Sequence, residues 1–491
     1  MPLPTEVLTE IMEHARPPNA TDAYELARNH FHYPITLAHV CSKWRKVILD
    51  TPMLWTNIHI FKSYKREVAN AHLRYSEGCL LSITWFSFSV NPSRDPQVQQ
   101  DPKVQDDPEV HEVVQNLIIP SATRLEKFTF ITWDPEGAGA LLAGMELIKF
   151  FPILWSVEFS GIPQRTPITQ PLKRTPTSCL NAPLLRRYKL IGAPFLPLAL
   201  PSNLVILSLV RSLNLDPLLE FLPEVAHSLQ HLEFNPSTSE VLVKTPKPKT
   251  LLQNLKTLLV SGSYAIMNYI NAPNLIYFSA SHPLRDQDPQ KVSEMFNGFS
   301  APELQSILFY RIPLLPLLTS YEIPRMFPKL ESVVFIECIN ESNLLHLLEP
   351  PYLPQGNSLP NLKELTISQM ENWSSLLDAI ERRRENGNWS LRKIRLPGKV
   401  IRGETLATRF PGIDFVELTK LAKYDPLAEF TPPEPLESSF NQDHRLFLKI
   451  RKKVERWLES DEDAAMDDED DETDDEDDET SDDEDDEMDV D

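Results

Sequence analysis

Glycine is scarce, at 13 of 491 residues. Phosphate-cradling loops need closely spaced glycines, and neither the P-loop pattern nor Gly-x-Gly-x-x-Gly occurs. Cysteine is scarcer: Cys41, Cys79, Cys179 and Cys338 stand far apart with no Cys-x-x-Cys pair. That spacing excludes a disulfide framework and predicts reduced, mostly buried thiols. The twelve histidines are scattered, and the closest sets, His30 with His32 and His227 with His231, lack a cysteine or carboxylate at ligand spacing. No His-Glu-x-x-His and no Gly-x-Ser-x-Gly is present. The sequence therefore points to a non-catalytic protein with no catalytic residue, cofactor or metal site. No run approaches eighteen apolar residues and no basic, apolar leader opens the chain, so the expectation is a cytoplasmic or nuclear protein without membrane contact.

Basic residues are missing from one place altogether. Residues 461–491 hold 23 acids and no Lys or Arg, which leaves 48 acids against 48 bases in the remainder. The acidity of the chain is thus a property of its last stretch, and a neutral body gives no field for binding nucleic acid. A segment so charged and so poor in apolar residues cannot offset its ordering entropy, so 460–491 reads as a disordered acidic tail. It would attract basic partners, most strongly at low salt. Thr473, Thr480 and Ser481 precede acidic runs that suit an acid-directed kinase.

What is abundant is leucine at a recurring spacing. A Leu-x-x-Leu-x-Leu type phrase begins at Leu125, Leu154, Leu184, Leu204, Leu229, Leu255, Leu275, Leu304, Leu330, Leu362 and Leu391, in steps of 20 to 32 residues. That period is too short for a domain and suits stacked units, each a short strand with a return segment packed behind it. A single unit cannot bury its apolar face, so the units must stack. The Asn or Cys usual after such a strand, which bonds the turn backbone, is mostly absent: Phe278-Ser279-Ala280 and Ile367-Ser368-Gln369 carry other residues there. Proline-rich stretches at 91–108, 162–177 and 235–250 interrupt the phrases and read as surface loops. Residues 425–439 read as a linker, and 440–459 as an amphipathic capping helix. Its apolar face carries Phe447, Ile450, Val454, Trp457 and Leu458, and Lys449, Arg451, Lys452, Lys453 and Arg456 are basic.

The first sixty residues follow a different pattern. They run Leu3-Pro4-Thr5-Glu6-Val7-Leu8 with Ile11, then His39-Val40-Cys41-Ser42-Lys43-Trp44-Arg45, then Thr51-Pro52-Met53-Leu54-Trp55. Together these read as a three-helix unit too small to enclose its own apolar residues. Trp44 and Trp55 are expected in its core. The unit resembles an F-box, specifically the F-box-like module abundant in mushroom-forming fungi, where leucine-rich repeats follow it. The resemblance covers about an eighth of the chain, and the stretch from Arg16 to Pro34 is longer than the usual turn between the first helices.

The resemblance implies an α/β protein: a small F-box (1–60), an irregular leucine-rich-repeat solenoid (61–424), then the linker, capping helix and acidic tail. It implies a substrate-recognition subunit of an SCF-type ubiquitin ligase, docked on a Skp-type adaptor and presenting an unknown, possibly basic, protein substrate. The residues it assigns to the adaptor are Leu3, Pro4, Val7, Leu8, Ile11, Val40 and Trp44. The competing reading is an acidic leucine-rich nuclear protein that binds histones or other basic proteins with no ligase role.

Overall fold

Every strand of the main sheet pairs with the one made just before it. The computed structural model describes residues 4–14, 33–60, 66–86, 112–132, 150–161, 181–192, 201–212, 215–236, 248–262, 264–281, 299, 301–312, 326–338, 359–370, 372–385, 390–401 and 406–418. Among the described residues three helices come first, α1 (Thr5–His14), α2 (Tyr33–Ala38) and α3 (Ser42–Leu49), then a short 3-10 helix at Pro52–Trp55. The early strands are β1 (Asn57–Ile60), β2 (Leu81–Phe86), β3 (Leu125–Thr132), β4 (Ser156–Gly161), β5 (Arg187–Ile191), β6 (Ile206–Ser212), β7 (His231–Pro236) and β8 (Thr250–Leu251). The later ones are β9 (Thr257–Ser261), β10 (Ile270–Asn271), β11 (Tyr277–Ser281), β12 (Ser306–Tyr310), β13 (Ser332–Ile336), β14 (Glu364–Ile367), β15 (Lys393–Leu396) and β16 (Asp414–Glu417). β8 and β10 form a small parallel ladder, and the other fourteen form one sheet in chain order.

All pairings in the large sheet are parallel. Parallel neighbours cannot be joined by a hairpin; each needs a crossover of a dozen residues or more. The leucine spacing supplies that length. Six crossovers contain described helices: α4 (Arg66–Tyr75) before β2, the turns Val114–Ile118 and Ile119–Ser121 before β3, α5 (Leu215–Val225) before β7, the 3-10 helix Ala265–Asn268 before β11, α6 (Trp373–Glu385) before β15, and the short helices Gly398–Ile401 and Leu406–Arg409 before β16. The chain is thus mixed α/β around one large parallel sheet.

Alternation along each strand sends one set of side chains into a continuous core. Strand register places Phe128 beside Val157, Val157 beside Tyr188, and Tyr188 beside Leu207. The same column continues to Phe415 through Leu232, Leu258, Phe278, Ile307, Val333, Leu365 and Ile394. A parallel column holds Trp85, Phe130 and Phe159, with ring centroids 5.0 Å and 6.4 Å apart at successive steps. Offset and edge-on aromatic pairs of this kind add to the area they bury.

Polar side chains stitch the turns at both ends of the strands. Ahead of the strands, Asn203, Asn254, Asn274 and Asn361 donate to the carbonyls of Pro183, His227, Gln253 and Pro328 in the preceding repeat. Ser228 and Ser390 donate in the same way to Ser202 and Pro360, at 2.7 and 2.8 Å. Each of these six residues stands immediately before the first leucine of its phrase, so one position repeats one task. After the strands the chain turns through left-handed backbone at Gly192, Gly262, Arg311 and Glu337. A Cβ at Gly262 would meet the Pro236 carbonyl at 3.4 Å, on top of the strain of its φ of +78°. Glu337 tolerates the same conformation because its N–H donates to the Ser368 hydroxyl at 2.7 Å. The serine noted as a departure from the usual pattern therefore serves the turn backbone itself.

All eleven leucine phrases coincide with strands, at β3 to β7, β9 and β11 to β15. One register differs. Leu184 is 47% exposed and Leu185 fully buried, because Tyr188 and Leu190 align with the core columns only when Leu185 leads the phrase. β1, β2 and β16 carry no leucine phrase that announced them, and β1 lies inside the span 1–60 assigned to the helical module. The stretches 91–108, 162–177, 425–439, 440–459 and 460–491 lie outside the described residues.

The register makes a direct prediction. Leu185→Ala should lower unfolding free energy by about 2–5 kcal/mol, whereas Leu184→Ala should stay within about 0.5 kcal/mol of the parent. Urea unfolding followed by circular dichroism separates the two, and the opposite ranking would reject the assigned register.

Candidate docking surface

Helix α1 carries two apolar stripes, and only one of them is used internally. The Pro4 carbonyl accepts the first helical bond, from the Leu8 N–H at 3.1 Å, so Pro4 stands just ahead of the helix where its missing donor costs nothing. Glu6 in the first turn suits the helix dipole. Leu8 and Met12, four apart, point inward and meet Val47, Ile48, Leu54 and Trp55. Pro4, Val7 and Ile11, at steps of three and four, form the neighbouring stripe and face outward.

Hydrogen bonds hold the three helices as one unit. The Tyr33 hydroxyl donates to the Met12 carbonyl at 2.6 Å, tying α2 to the end of α1. Cys41 is extended and its sulfur accepts from the Trp44 N–H at 3.5 Å, which opens α3. Arg45 Nε donates to the Ala38 carbonyl at 3.1 Å. Trp55 is buried, and its indole N–H donates to the Ile48 carbonyl at 2.9 Å.

Trp55 also seats this unit on the first crossover of the sheet. Its ring lies 4.9 Å from that of Tyr75 and 5.2 Å, edge-on, from that of His72, both on α4. His72 is buried, with Nδ1 3.0 Å from the Trp55 carbonyl. A unit too small to enclose its own residues has thus covered one side against α4.

The assigned adaptor residues divide accordingly. Val7 is 39%, Ile11 45% and Val40 58% exposed, and Pro4 is exposed as well. Trp44 is half-buried against the internal cluster. Leu8 requires a correction: at 3% exposure it packs inside the unit and offers nothing to a partner, because it shares a helix face with Met12. Leu3 lies outside the described residues. Met53, half-exposed in the 3-10 helix, belongs with the outward set and was not anticipated. Its proline neighbour marks the turn, but nothing in the motif says which side of that turn meets solvent.

Among the described residues no three His, Cys, Asp or Glu side chains gather at metal-binding geometry. Cys41 is exposed, contrary to the expectation of buried thiols, because it stands at the start of α3 rather than on its inner face; Cys79 and Cys338 are partly buried. Burial pushes the Cys338 thiol up to about 12. On the sheet face opposite the core, Lys189 Nζ lies 2.9 Å from Glu158 Oε1. Burial of Glu158 opposes ionisation, but Lys189, Arg187 and Lys127 outweigh it and hold the carboxyl below the usual glutamate value.

No protein-family model and no curated protein matches this sequence.

A carboxyl held low when folded contributes stability that is complete above its unfolded value of about 4.3 and is lost as pH falls through the folded value. Glu158→Gln should therefore be less stable than the parent at pH 7, with the gap closing on acidification below about pH 4. Thermal unfolding across pH 3 to 7 reads this, and a gap that is constant with pH would refute the assigned ion pair.

Proposed function

We propose that this chain is the substrate-recognition subunit of an SCF-type ubiquitin ligase, with its amino-terminal helices docked on a Skp-type adaptor. The observation that carries the reading is the second stripe of α1. Pro4, Val7 and Ile11 stand in solvent although the same helix buries Leu8 and Met12 one step round. Exposed apolar residues at helical spacing mark a face that a partner covers. Fourteen parallel strands in chain order support a leucine-rich-repeat solenoid behind this module. The solenoid would hold a protein substrate near the loaded ligase arm, raising the effective concentration of its lysines without any catalytic group here. Among the described residues no helix is long and apolar enough to cross a membrane. A cytoplasmic or nuclear site of action belongs to the same proposal.

Co-expression with a Skp-type adaptor tests this. The parent chain should retain the adaptor through purification, and Pro4→Ala with Val7→Asp should release it while leaving the thermal midpoint unchanged, since both sites are exposed. Loss of a central apolar anchor weakens such interfaces by about 2 kcal/mol or more. Undiminished recovery of the adaptor with this variant would reject the interface.

The acidic carboxyl-terminal stretch favours a second reading, a binder of histones or other basic proteins with no ligase role. Deleting 461–491 removes 23 carboxylates. On this reading deletion abolishes histone binding in the absence of adaptor and removes its salt dependence. Histone affinity that survives the deletion would refute it.

A further inference from the structure

The side chain just before the first leucine of each phrase changes character part-way along the sheet. From the repeat of β6 through that of β15 this position is polar, and six of its residues are the Asn and Ser donors that bond the preceding repeat. In the four repeats before it, register places Leu80, Arg124, Ile153 and Leu184 there, ahead of β2, β3, β4 and β5. Leu80 and Leu184 are half-exposed and Ile153 is partly so. Arg124 is the polar member of the four, and its guanidinium donates to the Ser76 hydroxyl and the Leu73 carbonyl. With strands about 4.8 Å apart, Leu80 and Leu184 stand roughly 14 Å from each other.

Two further half-exposed side chains stand shortly before strands at this end of the sheet. Phe150 lies in the lead-in to β4, and Met53 lies four residues before β1, in the turn that joins the helical unit to the sheet. The apolar row thus begins where the helices are seated and stops where the Asn and Ser donors begin. A leucine here gives up the hydrogen bond that later repeats make and leaves apolar area in water, which a free surface does not favour. A stable interface covers about 800 Å² and 20–30 residues on each partner. The outward stripe of α1 with Val40 and Met53 supplies only a small part of that.

We infer that the leading edge of strands β2 to β5, through Leu80, Ile153 and Leu184, is a second part of the surface that receives the Skp-type adaptor. This rests on the adaptor reading above and extends it from the helices onto the sheet. The occupant follows from continuity and area: the row adjoins the helical unit and supplies surface that the helices lack.

The test uses the full chain co-expressed with a Skp-type adaptor, comparing Leu80→Asn with Leu184→Asn against the parent. Asparagine is the residue later repeats hold at this position, so the thermal midpoint should not fall, while retained adaptor should drop about ten-fold. Leu251→Asn, an equally exposed leucine on the β8 ladder, should retain adaptor at the parent level. Parent-level retention by the double variant, or equal loss with Leu251→Asn, overturns the inference and leaves the α1 interface standing. A parent chain that retains no adaptor at all overturns the ligase reading instead, and this inference with it. If the double variant lowers the midpoint, Leu80→Lys and Leu184→Lys singly repeat the comparison with the same two outcomes.

Discussion

Parallel pairing of each strand with its predecessor is the constraint on which the rest of the molecule depends. It forbids tight turns and forces the chain across the sheet after every strand. The inner columns from Phe128 to Phe415 answer that demand, because every crossover returns an aromatic or aliphatic side chain to the same line. Hydrogen bonds that local turns cannot satisfy are made to the neighbouring repeat, by Asn and Ser ahead of the strands and by Ser368 behind one of them. Each repeat therefore relies on its neighbours for its core, and six of the repeats from β6 onward also make a turn bond to the one before.

The helical unit depends on the same arrangement. α4 exists because β1 and β2 are parallel and need a crossover, and α4 offers Tyr75 and His72 as the seat for Trp55. With Trp55 committed to that seat and Leu8 and Met12 packed in the same cluster, the Val7 and Ile11 side of α1 stays outside the cluster that the described residues of the unit form. The outward stripe is thus a consequence of how the unit is mounted on the sheet.

Much of this was legible in the sequence, and the failures have identifiable causes. The eleven strands with leucine phrases were readable because a strand that buries one face must repeat its apolar residues every second position. β1, Asn57–Ile60, and β16, Asp414–Glu417, were not, since four residues with two apolar members match no template and are strands only by pairing with a neighbour. Leu184 and Leu185 offered two registers of equal local merit, and the columns of neighbouring strands chose between them. Leu8 misled for a similar reason: the motif marks α1 as apolar on about half its circumference, but not which half meets α3 and the 3-10 helix. Met53 was missed because exposure of a residue in a turn depends on what packs over it.

Composition and spacing alone determined the scarcity of catalytic motifs, the concentration of negative charge after residue 460, the existence and period of the strands, and the presence of an apolar helical unit ahead of them. These follow from local rules: period two in strands, three to four in helices, and charge that cannot be buried. Tertiary structure alone decided which leucine of a pair is core, which stripe of α1 is outward, and where along the leading edge apolar side chains give way to hydrogen-bonding ones. Each of those depends on which neighbour reaches a side chain first, a competition among residues far apart in the chain that no local pattern records.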